Sequence, residues 1–264
     1  MKAVPAQAAG AFSMHPAPPG LEGVFSCTWI HRLPRESVPS LVVTPDATID
    51  LQLVEGALRI AGPDTAPMTE RLAAGATVVG FRFRPAAASA WLGLPASELV
   101  GMRLPLETLW GRRARRLGAA PRCGADPVAA LARALANERA DDPAPGDPAM
   151  RAAFALLERG LPSGSVVTTL RRDLGLGERT LRRRFDESFG YGPKTLDRIL
   201  RLQRFQRLAR AERGASLAAL AAAAGYADQS HLVRECRRLT GQTPSALLGL
   251  LTRDEPRGNR RSER

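Results

Sequence analysis

Between Val24 and Phe83 the apolar residues come in short runs, each cut off by turn-forming residues. Val24–Ile30, Leu41–Thr44, Thr48–Val54, Ala57–Ile60 and Thr77–Phe83 are rich in Val, Ile, Leu, Thr or Phe, which predicts strands. Pro45-Asp46, Gly62-Pro63-Asp64 and Ala74-Gly75 punctuate them, and Glu55-Gly56 sits where a tight hairpin turn belongs. Several short strands at this spacing predict an antiparallel barrel or sandwich. From Gly80 to Arg84 aromatic residues alternate with Arg, the pattern of a strand with one buried face.

After Pro85 the apolar period lengthens. Ala86–Leu92, a segment headed by Ser97, and Pro105–Leu117 read as short helices. Asp126–Arg139 is a clearer helix: Asp126 can cap it, Pro127 suits its first position, and Val128, Leu131 and Leu135 share one face. From Ser165 onward one pattern occurs twice. Ser165 caps Val166–Asp173, Leu174-Gly175-Leu176 turns, and Gly177 heads a second helix over Glu178–Glu187 with Leu181 and Phe185 on its buried face. A long helix, Lys194–Arg210, follows. Then Ser216 caps Leu217–Ala224, Ala224-Gly225-Tyr226 turns, and Asp228 caps Gln229 to about Leu239, with Leu232 and Cys236 repeating the buried pair. The fold class is therefore α+β in two domains, a β-rich barrel or sandwich with helices followed by an all-α tandem helix–turn–helix.

The divisions read from the chain are a flexible arm at 1–20, rich in Ala, Pro and Gly, and a β-rich domain at 21–140. A linker and lead-in helix at 141–164, the helix–turn–helix domain at 165–250 and a charged tail at 251–264 follow. The Asp126–Arg139 helix and the Met150/Phe154/Leu157 stripe are candidate contacts for a homodimer.

Charge separates the halves further. The 264 residues carry a net charge of +12, yet residues 1–150 hold 15 basic and 14 acidic side chains while 151–264 hold 23 and 12. A basic half beside a neutral one points to a polyanion partner for the basic half alone. In its first unit Arg179, Arg182 and Arg183 surround the apolar seam, and in its second Gln229, Ser230, Val233, Arg234 and Arg237 face outward. Guanidinium forks match guanine edges and hold phosphates, so these helices are candidate major-groove readers. Two alternatives stand beside this reading: a nucleoid-type binder without sequence preference, and a small-molecule-binding protein whose basic half is incidental.

Other classes are set aside. No apolar stretch reaches the roughly 20 residues a membrane span needs, and the Pro-rich N-terminus does not read as a signal peptide, so a cytoplasmic protein without membrane partner is expected. Cys27, Cys123 and Cys236 are odd in number and scattered, and His15 and His31 form no ligand cluster, so neither metal nor other cofactor is expected. Nucleophile elbows, phosphate loops and dinucleotide fingerprints are absent from the sequence, which argues against an enzyme. Trp29, Trp91 and Trp110 are candidates for a ligand pocket or, more simply, for the core.

Residues of roughly 155–250 resemble the DNA-binding domain of AraC/XylS-type transcriptional regulators. The matching words are Leu174-Gly175-Leu176 through Phe185, Gly190-Tyr191-Gly192-Pro193, Gly225-Tyr226-Ala227-Asp228-Gln229-Ser230-His231 and Gly241-Gln242-Thr243-Pro244. Gly177 and Cys236 depart from it, standing where Ser and Phe are usual. Pro45–Leu51, Ala61–Thr65, Gly80–Pro85 and Leu94–Leu99 resemble a cupin-like sensor domain found before that module. The resemblance implies a transcription factor that binds double-stranded promoter DNA through Arg179, Arg182, Arg183 and the outward side chains of the second unit. It adds an activator role, RNA polymerase and a small effector in the N-terminal domain as expectations.

Overall fold

A computed structural model gives the structure of residues 4–6, 9–36, 40–120, 126–139, 146–161, 164–212 and 214–251. Cys123, the Asp141–Pro145 part of the linker and the tail from 252 onward lie outside these described residues.

The N-terminal half is built on a six-stranded antiparallel sheet. Its strands are β2 (Ala11–Pro16), β3 (Phe25–Arg32), β5 (Asp50–Val54), β6 (Ala57–Ala61), β8 (Thr77–Phe83) and β9 (Arg103–Pro105), in the order β2-β3-β8-β5-β6-β9. A small second sheet joins β1 (Val4–Pro5), β4 (Leu41–Val43) and β7 (Met68–Glu70). The Glu55-Gly56 hairpin forms as expected: Val54 pairs with Ala57, and Glu55 and Gly56 take φ of 51° and 81°, as a turn matched to the strand twist requires.

Residues 1–20 do not form a loose arm throughout. Ala11–Pro16 pairs along its whole length with β3, and Phe12 stacks on Trp29 at 5.7 Å between ring centroids. Pairing with an open sheet edge outweighs the Pro and Gly content on which the arm reading rested.

One face of the sheet packs Leu51, Leu53, Ile60, Val79 and Phe81 against helices α1 (Ala88–Leu92), α2 (Leu106–Trp110), α3 (Arg112–Ala119) and α4 (Pro127–Arg139). The expected Pro105–Leu117 helix is broken in two because Gly111 turns the chain at φ 50° and ψ −121°. The segment headed by Ser97 is a short 3-10 helix, Ala96–Leu99. Trp91 and Trp110 belong to this core, 4.4 Å apart between ring centroids, whereas Trp29 lies on the opposite face.

The second core belongs to α5 (Pro148–Arg159), α6 (Val166–Leu174), α7 (Glu178–Phe189), α8 (Pro193–Ala211), α9 (Leu217–Ala224), α10 (Gln229–Thr240) and α11 (Pro244–Leu251). Both stripes offered as dimer contacts face inward instead. Leu131 and Leu135 of α4 are buried in the first core, and Met150 and Leu157 of α5 in the second, because the chain's own helices cover them. Among the described residues no helix is long and apolar enough to cross a membrane.

Candidate nucleic-acid interface

Each helix–turn–helix unit is framed by the residues that stop and start its helices. In the first, the Ser165 hydroxyl accepts from the Thr168 amide at 3.4 Å, α6 ends at Gly175 with φ 64°, and α7 ends at Gly190 with φ 81°. In the second, the Ser216 hydroxyl accepts from Ala219 at 3.1 Å, the Asp228 carboxylate accepts from His231 at 2.6 Å, and α9 and α10 end at Gly225 and Gly241 with φ of 89° and 71°. Gly177 heads α7 without a side-chain cap. The left-handed ends need Gly because a side chain there crowds the following carbonyl.

The helices then split into two faces. Leu181 and Phe185 in α7, and Leu232 and Cys236 in α10, are fully buried. Arg179, Arg182 and Arg183 are exposed on α7, as are Gln229, Ser230, Arg234 and Arg237 on α10, with Val233 half-buried beside them. Arg182 pairs with Glu178 at 2.7 Å and Arg183 with Glu187 at 2.8 Å along the helix surface. His231 packs edge-on against the Tyr226 ring at 5.3 Å, and its Nδ1 accepts from the Ala227 amide, so it belongs to the turn.

Arg184, third in the run of arginines, leaves this face. Its Nε donates to Asp147 at 2.6 Å and its Nη2 makes a second, short bond to the same carboxylate. Asp147 also caps α5 by accepting from Ala149 and Met150. Burial pushes its carboxyl up, but the Arg184 bond and the two amides outweigh burial and hold it below the usual range. Other contacts dock the same end of α7 on the N-terminal domain. The Ser89 hydroxyl donates to the Glu187 carbonyl, and Gly190 packs so closely that a Cβ there would come within 2.7 Å of Val100.

Arg204, in the middle of α8, holds the second unit. It donates to the carbonyls of Leu157 and Glu158 at the end of α5 and of Ala224 at the end of α9. These are carbonyls that a helix end leaves without partners. Burial lowers its pKa. Arg198 adds an ion pair to Glu235 of α10 at 2.7 Å, and Arg201 lies over the Tyr226 ring. The sequence reading missed Asp147 and Arg204; the Gly at each receiving helix end, Gly160 and Gly225, was the one visible trace.

Two like units, joined by one rigid helix and each presenting a polar, largely cationic helix face, define a tandem helix–turn–helix module of the class that binds DNA. Residues 170–249 match the helix-turn-helix domain family, and residues 13–105 match a domain of unknown function, DUF6597. The C-terminal part of the chain is a helix-turn-helix domain. No curated protein matches the chain.

Among solved structures, it is similar to a probable AraC family transcriptional regulator from Rhodopseudomonas palustris. That match has 24% identity over 42% of this chain and 100% of that one, with a TM-score of 0.35. It is also similar to ToxT from Vibrio cholerae, at 12% identity over 91% and 98% of the two chains with a TM-score of 0.46. A third is the transcriptional regulator CdpR from Pseudomonas aeruginosa, at 20% identity over 68% and 47% with a TM-score of 0.33.

Proposed function

We propose that the chain reads promoter DNA in a sequence-specific way by laying α7 and α10 in two successive major-groove segments. Arg179, Arg182 and Arg183 act from the first helix, and Gln229, Ser230, Val233, Arg234 and Arg237 from the second. The observation that carries this is the exposure of these side chains, with Val233 half-buried among them, at matching places in two units built to one plan. In this reading residues 21–140, with the strand at 11–16, form the regulatory domain. Residues 141–164 are linker and lead-in helix, and residues 165–250 contact the DNA. A small effector in the N-terminal domain changes the competence of binding.

Selection of bound sequences from a random duplex pool at two salt concentrations tests the reading. Enrichment of a bipartite site, its elements about 34 Å apart along the duplex, is the expected result. Binding without enrichment, collapsing as salt rises, would instead mark a non-specific phosphate binder.

A further inference from the structure

The central strands of the six-stranded sheet, β3, β8 and β5, are covered on both faces, and the two faces differ in kind. Opposite the apolar core lie Asp50, Gln52, Arg59, Arg82 and Arg103, with Asp64 and Glu70 beside them. They wall a cavity of about 210 Å³. Across it stand Gln206, Thr240, Gln242 and Leu247 of the DNA-binding domain. Taking this many charges out of water costs stability that an apolar face would not. The cavity therefore reads as a binding site, and its chemistry identifies the ligand.

At one end the charges balance: Arg103 pairs with Asp64 at 2.7 Å and Arg59 with Glu70 at 2.6 Å. At the other end Asp46 and Asp50 share Arg82 alone, each at 3.1 Å. Burial pushes the Asp50 carboxyl above the usual range, against the pull of Arg82. Next to this excess carboxylate lies Trp29, whose ring rests on Gly80, where a Cβ would come within 2.0 Å of the indole. Its Nε1 donates to Asp50 at 3.1 Å. A carboxylate in excess of the cations around it attracts a further cation.

The far wall supplies an independent sign. Gln206, only 6% exposed, stands on that wall. The Gln242 Oε1 is buried with no partner. A buried amide oxygen without a partner is rare and costly, and this one lines the cavity.

We propose that this cavity holds a small protonated organic amine, its ammonium between Asp46, Asp50 and Trp29 and its further donors reaching Gln206 and Gln242. The inference rests on the reading of the chain as an effector-modulated DNA-binding regulator and names the effector's class. Such a ligand bridges the sheet to α8 and to the turn after α10, which gives it a grip on the second reading unit.

The test uses the full chain and three probes of one shape, namely benzylamine, benzyl alcohol and benzoate, each at millimolar concentration, followed by thermal shift and calorimetry. Benzylamine should raise Tm in a saturable way, benzyl alcohol less, and benzoate not at all. Asp50→Asn should abolish the benzylamine response. Because Asp50 also anchors Trp29 and Arg82, the more exposed Asp46→Asn is the second variant, with a loss of affinity of about tenfold or more. Gln206→Ala should uncouple benzylamine from DNA affinity. Benzoate binding as well as the amine, no saturable shift with any probe, or a folded Asp46→Asn that binds normally overturns the proposal. Unliganded wild-type protein is titrated with its selected DNA site in parallel. If it binds that site while the amine fails, only the ligand assignment falls; if it binds no DNA, the regulator reading falls.

Discussion

The first helix–turn–helix unit is clamped on two sides, to the N-terminal domain through the Ser89 bond and the Gly190 contact, and to the linker ahead of α5 through the Arg184–Asp147 pair. The second is not: among the described residues no hydrogen bond or ion pair joins α9 or α10 to that domain, and its ties run to α8 instead. Between the end of α10 and the sheet lies the charged cavity. Two units with the same local design thus sit in different company. The first is fixed in place and the second has a gap behind it, so a signal from the N-terminal domain has the second unit as its natural target.

Emptying either seam probes this contrast most heavily. Leu181→Ala and Leu232→Ala should each cost about 2–5 kcal/mol, both sites being fully buried. With the clamp in place, Leu181→Ala shifts the whole unfolding curve, whereas Leu232→Ala splits off an early transition; identical curves would erase the distinction. Next come two glycines with the same left-handed backbone. Gly241→Ala meets open space and should cost only the backbone strain of about 1–2 kcal/mol. Gly190→Ala adds the collision with Val100, about 1–3 kcal/mol more, and equal Tm shifts would mean that the seam exerts no pressure.

A smaller effect is the pH dependence of the clamp. The Asp147 carboxyl is held below its unfolded value by Arg184 and two amides despite burial, so its contribution is complete above about pH 4 and fades as pH falls through the lowered pKa. Denaturant titrations from neutral to acid pH should show this loss in the wild type and not in Asp147→Asn. The smallest change is Glu178→Gln, which removes an exposed i,i+4 pair worth about 0.3–0.5 kcal/mol. It frees Arg182 for phosphate, so DNA affinity should rise and the salt dependence steepen; no change would place Arg182 away from the duplex.

The reading units were legible because helix boundaries carry local chemistry: Ser165, Ser216 and Asp228 announce starts, and Gly175, Gly225 and Gly241 announce stops. The Glu55-Gly56 hairpin was legible for the same reason. What escaped had no local signature. Strand β2 buries almost nothing, so its side chains do not alternate, and β9 is only three residues long. The Gly80–Arg84 alternation gave the strand correctly, but a sequence cannot show that a second layer covers the other face. Arg82 therefore read as solvent-facing although it is paired with a buried Asp50. The clamp depends on residues 37 positions apart, Asp147 and Arg184, neither unusual in its own surroundings.

The seat of α7 also bears on the order of assembly. The surface against which Gly190 rests, formed by Pro63, Ala96 and Val100, ends 90 residues before Gly190 in the chain. During synthesis the N-terminal domain can complete that surface while the reading helix is still unmade. Helix α7 then condenses onto a finished template, whereas α10 must find its place among α8, α9 and α11. Refolding from denaturant, where both halves start together, loses that head start and leaves the shelf open to other apolar surfaces.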